Sequence, residues 1–558
     1  MKAEKTYKDL PTECLLRVLS FLALPDIAIL LRTSKLWNAI ITSNEQILYH
    51  QFANNLDSIC VPLDSPSTAL DGWLSQEANK VRSWKEYCRL YINTERRWKG
   101  KDKPYSTHDV FASAQQTRVG RIKIDTKKAL LVMASDEESD EDNCVVVHCL
   151  REPAREALFR LDQIPPFTQI EISNGFIVLS SVQAGSDSLE VWRWAMDQDA
   201  FPMARQPTHQ QLQRQERASS VYRSSHHRGE LVPMGILKQP NELRACRLVY
   251  PTICVGSRAG DQLWLWDIRT RYLVQTIHIE PSVYHDFRMI HVDVNETYAF
   301  VATHTVSIYS RATGQRVFQL SETELRQLSG YVCPPIPVHG LGGVFQEYAL
   351  LGYHDPGINS SPPYLLDMVM TVYASPEGDN CVATTYWGYV ILICGLKNET
   401  SGRMEDYNAT SEGVGVLVGG VKSSSVPENI RVSLIRADGA IQHLAYDGHR
   451  ILIFGGSGLA LINLDRQHDR TENSGILFSN RSLAKLLPFP AQSMFLLPPF
   501  SGKGDVYRGC TCLQMTADSC WVAWSPEGYD SAAFGQGGPQ FNSTKTVGMV
   551  DFTREGCD

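Results

Sequence analysis

The sequence predicts a mainly β fold, in which a set of N-terminal helices precedes a β-propeller of about seven blades. Three observations carry that expectation. From about Val119 onward the chain is a succession of short β-branched and aromatic runs separated by Gly, Asp, Asn and Ser, the pattern of tightly turned antiparallel strands. A four-strand unit then recurs: Cys246 to Ile279 and Phe287 to Leu320 share one plan, and Tyr309 stands where Trp266 stands, an offset of 43 residues, inside the roughly 40 to 45 of a propeller blade. Residues 10–41 instead show helical periodicity with proline-marked starts.

The helices come first. Leu10 to Ile41, LPTECLLRVLSFLALPDIAILLRTSKLWNAII, reads as three short ones. Pro11 and Pro25 each follow a leucine and precede an acid, Glu13 and Asp26, which suits a first turn whose free N–H groups favour negative charge. Leu15, Val18, Leu19 and Leu22 fall at i, i+3, i+4 and i+7, and Leu16 and Phe21 widen that stripe. Ile27, Ile29, Leu30 and Leu31 crowd one turn of the second helix. Thr33 or Ser34 is placed to cap a third that carries Leu36, Trp37, Ile40 and Ile41. About forty residues cannot bury all of these side chains among themselves, so the helices dock on the next domain of the chain or offer a surplus face to another protein.

This stretch resembles the F-box, the adaptor-binding motif of modular ubiquitin ligases. Leu10-Pro11-x-Glu13, Leu15-Leu16, Val18-Leu19, Phe21-Leu22, Leu24-Pro25-Asp26-Ile27, Leu30 and Trp37 keep that family's order and spacing. Thr33-Ser34-Lys35-Leu36-Trp37 departs from the Val-Cys-Arg-x-Trp run frequent there. The resemblance implies that these residues meet a Skp-family adaptor and, through it, a cullin-RING ligase. An ordinary helical subdomain packed on the rest of the chain is the alternative.

Glu45 to Asn55 reads as a further short helix and Leu56 to Asn79 as a connector. Val81 to Arg97 is helical, with Val81, Trp84, Cys88 and Tyr91 on one stripe and Gly100 as its stop. Trp84, Lys85 and Tyr87, then Glu95, Trp98 and Gly100, resemble the linker helix of F-box/WD-repeat proteins with one spacing shifted. That implies packing roles for Trp84, Tyr87, Tyr91 and Trp98. A basic helix lying on membrane or nucleic acid fits less well, because the aromatics occupy the buried stripe and the basic cluster is short. The expected organisation is a helical F-box domain over 1–55, a connector and linker helix over 56–104, and a propeller over 105–558.

Within the propeller, third strands are expected near Val147, Val191, Trp266, Tyr309, Leu392, Leu461 and Val550. Six or eight blades stay open, because long intervals separate some units. Trp266-Asp267 is a single Trp-Asp dipeptide, so the array resembles a degenerate WD-repeat propeller. Three insertions interrupt the strands. Ser135 to Asp142, SDEESDED, should be a solvated loop in which Ser135 and Ser139 are candidate sites for an acid-directed kinase. Asp197 to Glu230, rich in Gln, Arg and His and nearly without aliphatics, should be disordered. Ser321 to Pro363, with its Pro and Gly clusters, is expected as an ordered loop over one face. Arg258, in the turn after the second strand of the clearest unit, is a candidate substrate contact.

Composition narrows the function. A chain of 558 residues with 43 % hydrophobic and 20 % charged residues is folded and too long for one ordinary core. A net charge of −8 gives no pull toward nucleic acid or anionic membrane. Residues 1–9 lack the apolar core of a signal peptide and no run reaches the roughly 18 apolar residues of a span. Secretion is therefore not expected, and the Asn-x-Ser/Thr triplets at Asn295, Asn359, Asn398, Asn408, Asn480 and Asn542 read as chance. Fourteen cysteines without a CxxC pair imply reduced thiols and no zinc knuckle. His226-His227 lacks the spaced partners of a metal site. Gly455-Gly456-Ser457-Gly458-Leu459 misses the last glycine of a nucleophile elbow, and the glycines from Gly413 to Gly419 precede no helix. No catalytic, cofactor or metal residues are assigned. The expectation is a substrate-recognition subunit of an SCF-type ligase that binds an adaptor and an unknown protein substrate. A propeller scaffold independent of ubiquitin, or a propeller enzyme with a site at the channel mouth, are the alternatives.

Overall fold

Seven four-stranded antiparallel sheets stand around a central channel in the computed structural model. It describes the chain outside residues 1–9, 58–61, 64, 108–109, 111–118, 136–142, 153–156, 167, 182–187, 201–205, 223–226, 281–288, 321–368, 386–387, 397–416, 419–420, 423–429, 437–440, 456–457, 465–490, 497–509, 525–545 and 556–558. The innermost strands of blades 1 to 7 are Val119–Asp125, Ile170–Ser173, Leu243–Val249, His291–Val294, Val369–Ala374, Ile441–Tyr446 and Cys512–Met515. All seven expected third-strand centres lie in third strands, from Val147 in Cys144–Cys149 to Val550 in Thr546–Glu555. The second and third strands are sandwiched between neighbouring blades, so they read as apolar runs: the second strand Leu130–Ser135 and the third strand Ser188–Trp194 are buried at every residue. The fourth strand of blade 7 is Pro104–Thr107, which comes from the start of the propeller and pairs with Thr546–Glu555, Thr107 opposite Met549. Closure of the ring thus ties the two ends of this region together, and a sheet closed on itself has no free ring edge.

Before the ring stand α1 (Thr12–Leu19), α2 (Leu24–Thr33), α3 (Lys35–Ser43), α4 (Glu45–Asp57) and α5 (Trp84–Trp98). Pro11 is the N-cap of α1 rather than its first residue, and Pro25 is the second residue of α2. Asp26 accepts a hydrogen bond from the Ala23 N–H at 3.2 Å, and Ser34 caps α3 by accepting from the Trp37 N–H at 3.2 Å. Helix α5 begins at Trp84, later than the periodicity suggests, because Ser83 and Glu86 form a capping box: the Ser83 hydroxyl accepts from the Glu86 N–H at 3.3 Å and the Glu86 carboxylate from the Ser83 N–H at 3.2 Å. Its end is a Schellman motif. Gly100, at φ +68°, donates to the Arg97 carbonyl and Lys101 to that of Arg96, both at 2.9 Å.

The expectation of disorder across Asp197 to Glu230 is corrected: α6 (His209–Val221) lies within it, capped by Thr208, and rests on the fourth strands of blades 1 and 2. A polar network holds it where aliphatic burial would normally be needed. Arg214 and Glu190 are both buried, with Nη1 at 2.9 Å from each carboxylate oxygen. Arg214 Nε donates to the Asp162 carbonyl, Trp192 Nε1 to Glu190, and Gln211 Nε2 to the Gly235 carbonyl. A buried ion pair so fully hydrogen-bonded can persist in a dry interface.

The acidic insertion beyond Ser135, including Ser139, and the segment Ser321 to Pro363 lie outside the described residues. Ser135 itself is the last residue of a second strand and 5 % exposed. Its hydroxyl accepts from the Cys144 N–H at 2.7 Å and donates to the Cys144 carbonyl at 3.2 Å. Ser135, expected as a kinase site, is thus buried and engaged in strand hydrogen bonds that a phosphate would have to displace.

Candidate functional site

Antiparallel pairing fixes which loops share an end of the ring. Segments entering the first strands and turns between second and third strands form one rim, here the upper. Turns between first and second strands, and between third and fourth, form the lower. The helices dock on the lower rim at blades 6 and 7. Trp98 Nε1 donates to the Ala517 carbonyl at 3.1 Å, Asn463 Nδ2 to the Trp98 carbonyl at 2.8 Å, and Arg450 pairs with Glu95 at 2.6 Å. The buried Arg97 donates through Nη1 to the carbonyls of Phe552 and Thr553, at 3.2 and 2.7 Å. The Asp518 carboxylate accepts from the N–H groups of Leu74 and Ser75, at 2.7 and 2.8 Å.

Helix α5 spans both cores. Trp84, Tyr87, Cys88 and Tyr91 are buried with Leu19, Ile27, Ile41, Leu48 and Phe52 among the N-terminal helices, whereas Trp98 is buried with Leu452, Leu461, Val550 and Phe552 of the propeller. The four aromatics expected to pack along this helix therefore serve two different interiors.

Part of the surface of α1 and α2 stays open. Leu10, Val18 and Phe21 are 47, 53 and 75 % exposed; Pro11, Glu13, Pro25 and Asp26 are exposed and Leu16, Leu22, Leu24, Leu30 and Trp37 half-buried. Leu15, Leu19 and Ile27 point inward and are buried. The expected adaptor residues thus divide into an outer set available for contact and an inner set that holds the helices together. Ile29, at 62 % exposed, extends the outer set, and its place in the apolar second helix was its only sequence signal. Large apolar side chains so exposed on and beside two short helices are the kind of surface that a partner can cover.

The channel wall carries polar side chains in two tiers, read from equivalent positions of the innermost strands. In the lower tier Lys123 pairs with Glu171 at 2.8 Å, Glu171 with Arg247 at 3.2 Å, and Arg247 with Asp293 at 3.2 Å. Asp293 then accepts from the Ala374 N–H at 2.8 Å. This chain of alternating sign fastens blades 1 to 5. Burial would push the Glu171 carboxyl up, but Lys123 and Arg247 hold it below the ordinary carboxylate range; burial keeps the Asp293 carboxyl raised despite Arg247. The upper tier holds Arg121, His291, Thr371 and His443. A register shift lies just before Arg121, between Val119 and Arg121, and recurs between Leu243 and Ala245, Val369 and Thr371, and Ile441 and His443. Bulges of this kind re-aim side chains at barrel and propeller rims.

Arg258 lies on the upper rim, opposite the docked helices. Its Nη1 is 2.9 Å from Glu242, with the two side chains 48 and 57 % exposed, a pairing worth little in water.

Residues 7–54 match the F-box-like family. No curated protein matches the chain. The molecule is an F-box-like helical segment followed by a seven-bladed β-propeller, and F-box domains generally bind Skp-type adaptors. Among the described residues no helix is long and apolar enough to cross a membrane.

Proposed function

We propose that this chain is the substrate-recognition subunit of an SCF-type ubiquitin ligase, with its helical face bound to a Skp-family adaptor and the upper rim of its propeller bound to a target protein. The observation that supports this most directly is α5. One helix is buried at one end among the F-box-like helices and at the other in blades 6 and 7, which supports an apolar face and a broad rim held apart by the same helix. A receptor of this kind supplies no nucleophile. It raises the effective concentration of a target lysine beside a charged ubiquitin-conjugating enzyme, and a fixed separation between the two surfaces is what makes that proximity productive. The loops of the upper rim suit recognition because the blades beneath hold them in place.

The test is co-purification. The full chain should retain a Skp-family adaptor and a cullin from a cell lysate, and a Val18→Ala/Phe21→Ala variant with an unchanged melting temperature should lose both. Equal recovery of adaptor by the two proteins would refute the reading.

A further inference from the structure

We propose that the upper mouth of the channel is a binding site for a carboxylate carried by a peptide chain, with Arg121 as the cation that receives it. The inference deepens the receptor reading, on which it rests, by naming the chemistry of the target that the rim takes. A cavity of about 290 Å³ opens there, between blades 6, 7, 1 and 2, lined by Arg121, Ser135, Thr168, His443, Cys510 and Thr511. It has room for about ten water molecules, which suits a short stretch of extended chain.

Charge balance decides the sign and the size of the ligand's charge. In the tier below, two cations, Lys123 and Arg247, face two anions, Glu171 and Asp293, and cancel. Arg121 is left over. Among the described residues it has no ion pair, and no acidic side chain lines the cavity. One guanidinium presents a planar fork that matches a carboxylate in two parallel hydrogen bonds. Against this one cation of the described lining, a phosphate with about two negative charges leaves surplus negative charge.

The ligand also brings donors. The hydroxyl of Thr511 donates to the Val119 carbonyl at 3.1 Å, that of Ser135 to the Cys144 carbonyl at 3.2 Å, and that of Thr168 to the Pro165 carbonyl. His443 Nε2 lies 3.1 Å from the Cys510 carbonyl. A carbonyl only accepts, so Nε2 carries the proton and Nδ1 presents a lone pair. Arg121 therefore supplies the free donors of the cavity while the other polar groups offer lone pairs. A carboxylate flanked by backbone N–H groups answers both needs, and a peptide provides it from an Asp or Glu side chain or from its C-terminus.

The experiment uses the purified full chain and three randomised libraries of short peptides: one amidated with internal Asp and Glu, one with free C-termini and no acidic side chains, and one amidated with phosphoserine as its sole acid. Enrichment from the first library assigns the carboxylate to a side chain, and enrichment from the second to a chain terminus. Either supports the proposal if Arg121→Gln weakens the selected peptides about ten- to a hundred-fold and Arg121→Lys, which keeps the charge but not the fork, weakens them less. Selection of phosphoserine peptides over both others, enrichment insensitive to Arg121→Gln, or no enrichment at all would overturn it. Arg121 is exposed and lies at the rim opposite the helices, so both variants should melt as the parent does and retain the adaptor. Loss of adaptor capture by the parent itself would sink the receptor reading and leave the peptide result standing.

Discussion

The indole of Trp98 lies face to face with the ring of Phe552, their centroids 3.5 Å apart and their planes 12° from parallel. Arg450 covers this stack, its guanidinium carbon 4.4 Å from the Trp98 centroid. The last residue of α5 is thus part of blade 7, the same blade that Pro104–Thr107 closes a few residues later. Two adjacent anchors fix the direction in which the chain leaves the helices.

Trp98→Ala should therefore cost about 3–5 kcal/mol and uncouple the two parts. Limited proteolysis should then cut between α5 and the propeller while a Skp-family adaptor still binds the helices with unchanged affinity. A variant that resists protease as well as the parent does would show that the other lower-rim contacts suffice.

The outer and inner sets of F-box residues predict opposite phenotypes. Full burial of one aliphatic side chain contributes roughly 1.5–3 kcal/mol, so several must act together to meet an association cost of about 4–15 kcal/mol. Leu10→Ala with Pro11→Ala should weaken adaptor binding at least about ten-fold without moving the melting temperature. Leu19→Ala, at a side chain with no exposure, should lower stability by about 2–5 kcal/mol and lose adaptor only through unfolding. Calorimetric titration beside thermal melts separates the two, and equal melting losses for both variants would erase the distinction.

The parts of this fold that were legible in the sequence are those where burial is two-sided. Trp266, Tyr309 and Leu461 mark third strands because apolar residues there face both neighbouring blades and form unbroken runs. Pro104–Thr107 escaped notice: a four-residue edge strand has too few positions to show alternation, and its partner lies more than 400 residues away in sequence. Helix α6 escaped because its anchor is Arg214 on Glu190, a polar contact that hydrophobic periodicity cannot report, although Thr208-x-x-Gln211 did carry a capping signal. The channel tiers were hidden for a related reason, since each charged residue sits on a different blade and its partner is a whole repeat distant.

That lower tier makes its own prediction. Glu171→Gln keeps the shape of the side chain but leaves Lys123 without its carboxylate and Arg247 with Asp293 alone. Stability should fall by about 1–3 kcal/mol, read as a lower urea midpoint at constant slope. Adding Lys123→Met should recover part of the loss, because removing both charges ends the desolvation of an unpaired one. A double variant no more stable than the single one would argue that the tier is not acting as a chain of pairs.

Acid should weaken the propeller in a window set by the imidazoles of His148, which is buried, and of His291 and His443, which are half-buried. Burial lowers His443 and His148 to about 4, and burial together with Arg247 lowers His291 to about 3. Such a group stays neutral in the folded state while the unfolded chain takes up a proton below about 6.5, so protons favour unfolding. The stability is fully present above that value and is lost progressively as pH falls toward 4. Between pH 7 and 5.5 each imidazole should cost about 1 kcal/mol. Asp293, Asp518 and Asp551, whose carboxyls burial raises, act in the opposite direction as they protonate first in the folded state, which is why the test stops short of the carboxylate range. Urea midpoints should fall steadily across this interval, and His443→Gln should flatten the slope by about one imidazole's share. A midpoint that stays level or rises on acidification would mean that these rings are already protonated in the folded protein.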